Sequence, residues 1–178
     1  MAENHQDVFS AGERIAQRRW GDPSLWTGTR VGQLIWEHIP GRLHARVEAA
    51  PFFFLATSDR EGRCDCAFKG GGPGLVRVLG PCRLAFPHFP ARVPGNGAYS
   101  SLGNILVNDQ VSLLFVDFAD GGRLRVNGRA TLHDDAERLA AFPGSECVVD
   151  VQVDRVMPSC SANVPRLVPE HAAGGAGP

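Results

Sequence analysis

The pattern of apolar and polar positions changes character near residue 51. Before it, the spacing is helical. Ser10-Ala-Gly-Glu13 has the form of a capping box, with Ser10 as the cap and Glu13 reaching back, and it leads into Ile15–Trp20. Gly21-Asp-Pro-Ser24 breaks that helix. A second helix is predicted from Pro40, because Ile39, Leu43, Val47 and Ala50 recur on one stripe and proline suits a first turn. After Pro51 the spacing becomes that of strands. Phe52–Thr57 is a continuous run of β-formers, as in a central strand, and Asp59-Arg-Glu-Gly62 turns it into Arg63–Phe68 to make a hairpin. Leu75–Leu79 and Arg83–Phe86 form the next pair. Gln110–Phe118 is the strongest strand, and Asp120-Gly-Gly122 turns it into Arg123–Leu132.

In that last strand Leu124, Val126, Gly128, Ala130 and Leu132 share one face, while Arg123, Arg125, Asn127 and Arg129 share the other. A short helix is predicted over 134–141. A final strand over Glu146–Met157 places Cys147, Val149, Val151 and Val153 on one face. About six or seven antiparallel strands with few helices predict a mainly β protein built as a small barrel. A helix after Asn96 would cover an open end. Side chains fill a barrel of this size, so a large ligand would sit outside it, at a subunit boundary. The pattern divides the chain into a helical extension packed on the barrel (1–50), the barrel (51–168) and a disordered tail (169–178), the last lacking core formers.

Charge narrows the field. Across 178 residues, 18 basic and 19 acidic side chains leave a net charge of -1, which gives the whole chain no pull toward nucleic acid or an anionic membrane. No apolar run is long enough to span a bilayer, and the first residues lack a secretion signal, so a cytoplasmic protein is expected. Five cysteines make an odd count, against a disulfide framework. Cys64-Asp-Cys66 lacks the second ligand pair of a structural zinc site, and these thiols are expected to fill one face of a strand. The six histidines show no metal-ligand spacing, so no metal is expected. Trp20, Trp26 and Trp36 are expected to be packing anchors.

The chemistry centres on Lys69-Gly-Gly-Gly-Pro-Gly74 and the following Leu75-Val-Arg-Val-Leu79. Glycines let backbone approach a ligand, and Lys69 and Arg77 bring positive charge for an anionic group such as a phosphate. The lysine precedes the glycines, so this is not a Walker loop, and no Gly-x-Ser-x-Gly elbow surrounds Ser100 or Ser101. A second polar loop, Gly95-Asn-Gly-Ala-Tyr-Ser-Ser-Leu-Gly-Asn104, opens the predicted helix.

An ordered set of segments carries a resemblance. They are Pro51–Asp59, Cys66-Ala-Phe-Lys-Gly-Gly71, Pro73-Gly-Leu-Val-Arg-Val-Leu79, Leu84-Ala-Phe-Pro87, Gly95-Asn-Gly97, Ser101-Leu-Gly-Asn104, Val111–Phe118 and Arg123–Arg129. Together they resemble the pyridoxamine 5′-phosphate oxidase-like proteins, whose fold is an FMN-binding split barrel. The resemblance implies a homodimer with FMN at its interface. Lys69 and Arg77 would supply charge near the phosphate or ring, and Asn96, Ser100 and Ser101 would supply hydrogen bonds. Backbone from Val76 to Leu79, Val78 included, and at Phe86 and Pro87 would frame the isoalloxazine, and an FMN edge would rest on the exposed backbone of the glycine cluster at Gly70. Arg125 and Asn127 would contact the same or the partner's cofactor.

The departures are specific. Between Leu132 and Pro178 nothing matches the Arg-x-His pair that grips substrate in the true oxidases, and Leu79-Gly80-Pro81 stands where a lysine is expected. Cys160-Ser-Ala-Asn-Val-Pro-Arg166 only approximates the relatives' Cys-Pro-Arg-Tyr end. True pyridoxamine phosphate oxidase activity is therefore not expected. The resemblance implies an oxidoreductase taking electrons from a reduced nicotinamide or deazaflavin donor. The alternatives are a non-catalytic flavin- or haem-binding carrier or sensor, and an enzyme binding deazaflavin in place of FMN. No residue stands out as the catalytic acid or base. Tyr99 and His88 lie near the expected site.

Overall fold

The computed structural model describes residues 8–90, 97–159 and 161–167. Seven strands form one antiparallel sheet: β1 (Phe52–Ser58), β2 (Cys64–Gly70), β3 (Arg77–Gly80), β4 (Arg83–His88), β5 (Gln110–Val116), β6 (Arg123–His133) and β7 (Cys147–Ser159). Their order is β2-β1-β5-β6-β7-β4-β3, so β2 and β3 are the free edges of a sheet that curls on itself. The helices are α1 (Ala11–Trp20), α2 (Gly28–Leu34), α3 (Gly41–Ala49), α4 (Ser100–Val107) and α5 (Ala136–Ala140), with a 3-10 turn at Pro23–Leu25.

Alternation decides which side of each strand faces in. Phe53, Leu55 and Thr57 of β1 are buried, and so are Val111, Leu113 and Phe115 of β5. They meet Leu84 and Phe86 of β4 and Val149, Val151 and Val153 of β7 in one core. The Phe53 ring lies 5.5 Å from that of Phe115 on the neighbouring β5 and 4.9 Å from that of Phe86 on β4, a strand not paired with β1 in the sheet. In β6 the expected inward face is buried over Leu124, Val126, Gly128 and Ala130. A register shift between Asn127 and Gly128 brings the β7 backbone so close that a side chain at 128 would strike the Gln152 carbonyl.

Other expectations shift for identifiable reasons. In β7 Val148, Val149, Asp150 and Val151 are all buried, because a second cluster of Ala85, Phe142 and Val148 covers the outer side of that strand. The predicted Leu75–Leu79 strand shortens to β3, since Leu75 and Val76 turn into the core from a loop. Cys64 and Cys66 fill no core: both lie exposed on the outward side of edge strand β2. Trp20 is no packing anchor either, standing 75% exposed with the Arg19 guanidinium over its ring. Helix α2 went unpredicted, because Gly28 and Gly32 obscure its pattern; Thr27 caps it by accepting from the Arg30 amide. The expected capping box of α1 is present, with both Ser10–Glu13 hydrogen bonds made. The tail over 169–178, Asn96 and Cys160 lie outside the described residues.

Candidate anion site at the split of the barrel

The two sheet edges leave a gap, and the site lies there. The β3–β4 ladder ends at Ala85, so Phe86, Pro87 and His88 continue along the gap paired only to β7. On the other side, β2 carries Asp65, Ala67 and Lys69 on the inward parity, opposite Thr57, Leu55 and Phe53 of β1. Helix α4 opens between them. A cavity of about 290 Å³ is lined by Lys69, Asp65, His88, Tyr99, Ser100 and Ser101, among others.

The groups in it are unequally partnered. Ser101 Oγ donates to Asp65 Oδ2 at 3.1 Å, which ties one carboxylate to the helix start. Tyr99 OH donates to Glu146 Oε2 at 3.1 Å, and the tyrosine ring lies 5.3 Å from the His88 imidazole. Tyr99 holds φ at 50°, a left-handed conformation uncommon for a bulky residue, and α4 begins there without a side-chain cap. The first amides of a helix have no partner within it and carry its positive end, so they suit an anion.

Lys69 makes no ion pair with any described residue. Burial holds its ammonium below the usual lysine range, with the Asp65 charge acting against that. Burial and then the Lys69 charge push the His88 imidazole below its ordinary value, and Glu146 opposes them. A half-buried cation with no ion pair among the described residues, at a helix N-terminus and beside two serine hydroxyls, is the arrangement a phosphate satisfies. The residues present therefore fit the phosphate of an FMN.

The glycine cluster serves another purpose. The amides of Gly71 and Gly72 donate to the Pro51 carbonyl, at 3.2 and 3.0 Å, and that of Gly74 donates to the Glu48 carbonyl at 2.7 Å. Gly74, at φ 85°, allows the turn that follows. Those amides lock the end of α3 to the start of β1. The free amides of the site belong to α4.

Of the residues expected at a cofactor, Lys69, Ser100 and Ser101 meet in this cavity. Gly70 ends β2 beside Lys69, exposed and paired with Phe52. Pro87 is buried next to His88, and Phe86 is a core residue. Arg77 lies on β3 with its guanidinium 4.8 Å from the Phe142 ring, outside the cavity lining. The Val78 amide donates to Glu48 Oε1 at 3.0 Å. Arg125 and Asn127 are on the outward side of β6, where Ser112 Oγ donates to Asn127 Oδ1 at 2.9 Å. Asp65 and Glu146 were not foreseen. Asp65 shares Lys69's parity on β2, a signal available once the strand is placed. Glu146 reaches the site only through the fold.

With the fold and the cavity described, the class of protein is defined. The family model described as pyridoxamine 5′-phosphate oxidase matches residues 39–159, and the chain belongs to that family. Its fold is the split barrel. Among solved structures, the tagged HupZ protein of Group A Streptococcus is similar over 68% of this chain and 99% of its own, with TM-score 0.54 and 18% identity. A Lactobacillus delbrueckii protein described as a candidate pyridoxamine 5′-phosphate oxidase is similar over 68% of this chain and 95% of its own, with TM-score 0.53 and 21% identity. At such identities these likenesses speak for the fold alone. Comparison with curated proteins finds no match.

Proposed function

We propose that the protein is an FMN-binding flavoprotein and an oxidoreductase, passing electrons from a reduced nicotinamide or deazaflavin donor to a small acceptor. The observation that carries this reading is the partly buried Lys69 ammonium, without an ion pair among the described residues, in the cavity at the start of α4. Bound FMN would supply the electron chemistry through its ring. The chain's own residues have simpler tasks. Lys69, the α4 amides and Ser100 hold the phosphate, and Ser101 keeps Asp65 turned aside through its hydrogen bond. The backbone of Phe86 and Pro87, left unpaired toward the gap, borders the space beside the phosphate.

The test is the flavin content of the purified protein. It should be yellow and release FMN on denaturation, and a nicotinamide or deazaflavin donor should reduce the bound flavin faster than free flavin in stopped flow. A colourless protein that also fails to take up FMN would refute the reading. Bound FMN that no donor reduces faster than free flavin would instead mark a carrier or sensor.

The outward side of β1 and β2 supports a homodimer. Phe52 stacks on Phe68 and on Phe118 there, and Phe54 meets Phe52 and Phe68 edge-on, with Phe68 63% exposed. Exposed apolar area of this kind marks a contact surface. A second copy is the occupant we propose, as the family resemblance implies, since the patch shares strand β2 with Lys69. Light scattering should then give twice the 19.1 kDa chain mass, and Phe68→Glu should shift it toward one. A wild-type mass of a single chain would contradict the dimer.

A further inference from the structure

The Lys69 cavity holds a second nitrogen base, and its surroundings point to a role that Lys69 does not fill. His88 ends β4 on the far wall of the gap. Neither of its ring nitrogens has a hydrogen-bond partner among the described residues, although the side chain is only partly exposed. Neither nitrogen is among the fully buried atoms left without a partner, so both reach solvent and need no protein partner. The neighbours do not provide one. From β2 it faces Lys69, whose charge is repulsive to an imidazolium, and Asp65, already engaged by Ser101. From the α4 side it faces the Tyr99 ring, whose hydroxyl is turned to Glu146, and the serines at 100 and 101. From the β7 side it faces Glu146, whose amide donates to the His88 carbonyl, and its strand partner Cys147. Two nitrogen donors, Lys69 and His88, thus line one small cavity with no acceptor assigned to either.

We propose that His88 is an anion-binding residue that engages the phosphate as an imidazolium, so that the site takes up a proton together with its ligand. This rests on the reading of the cavity as the FMN phosphate site and adds a pH-dependent affinity to it. The sign follows from the two states. Without ligand, burial and the Lys69 charge keep the imidazole neutral. An anion between the two nitrogens reverses the electrostatics and raises the imidazole pKa. Binding is then favoured at low pH, and the added affinity is lost as pH rises through the raised value of the complex. The phosphate loses its second proton near pH 6, so above pH 7 it is largely the dianion and nearly all the remaining slope belongs to the protein.

The experiment is a fluorescence titration of FMN into the full-length protein at pH 7.0 and 8.5, for the wild type and His88→Gln. Calorimetry in two buffers of different ionisation enthalpy counts the protons. The wild type should bind more weakly at pH 8.5 by a factor on the order of five and should take up protons on binding at pH 7. His88→Gln should bind more weakly at pH 7 and show neither the slope nor the uptake. Equal slopes and equal proton counts in the two proteins would overturn the role of His88 while leaving the flavin reading intact. If neither FMN nor inorganic phosphate binds the wild type at either pH, both fall together.

Discussion

Phe53→Ala is expected to destabilise the fold by about 3–5 kcal/mol, the range for removing a fully buried aromatic ring. Phe53 is completely buried, and its ring packs on Phe86 and Phe115. The contact with Phe86 crosses the barrel from β1 to β4, a pairing that no backbone ladder makes, and the contact with Phe115 joins β1 to its neighbour β5. The position also bears on the site. Phe53 stands opposite Lys69 in the β1–β2 register, and Phe86 lies two residues before His88 on β4. The Phe53–Phe86 contact therefore sets how far apart the two walls of the gap stand. Chemical denaturation should show the loss as a lower midpoint. Any variant protein that remains folded should also bind FMN more weakly, because Lys69 and His88 lose their shared support. A midpoint within error of the wild type would mean that the barrel is closed by other contacts.

Lys69→Ala is expected to weaken FMN binding by about 1.5–3 kcal/mol, the usual worth of a hydrogen bond to a charged group. Two opposing effects bear on that figure. A lysine already stripped of part of its water gains more from a bound anion than an exposed one does. Asp65 in the same cavity offsets part of the gain, although Ser101 holds its carboxylate. The first effect should dominate, because Lys69 alone among the lining groups carries a fixed positive charge. Arg77→Ala should do much less, since its guanidinium rests on Phe142 outside the cavity.

Much of this architecture was legible from residue pattern. Alternation in Arg123–Leu132 located the inward side of β6, and the apolar run at Phe52 marked a strand with neighbours on both sides. Where pattern misled, tertiary context had overridden it. The exposed thiols of Cys64 and Cys66 occupy a strand that reads as half-buried by composition, and they lie on its outward side, where Ala56 of the neighbouring β1 is also uncovered. The valines of β7 break alternation because Phe142, from beyond another helix, covers the outer side.

The site was legible in its parts and not in its assembly. Lys69 and the serines of α4 could be singled out by residue type and position. Asp65 shares Lys69's side of β2 by parity, but that His88 joins them depends on how the sheet curls, and no local spacing encodes that. The glycines after Lys69 illustrate the same limit. Their sequence suggests a cradle for an anion, whereas their amides hold α3 to β1 and the amides that open onto the cavity begin a helix some 30 residues later.

The central claim is that Lys69 marks a phosphate site, and it is tested most directly by titrating FMN and riboflavin in parallel into the wild type and Lys69→Ala. The two ligands share a ring and differ in the phosphate. The wild type should prefer FMN by at least tenfold, and Lys69→Ala should lose most of that preference with little change toward riboflavin. Equal affinity of the wild type for both ligands, or an undiminished preference in the variant, would show that the phosphate is not held by Lys69.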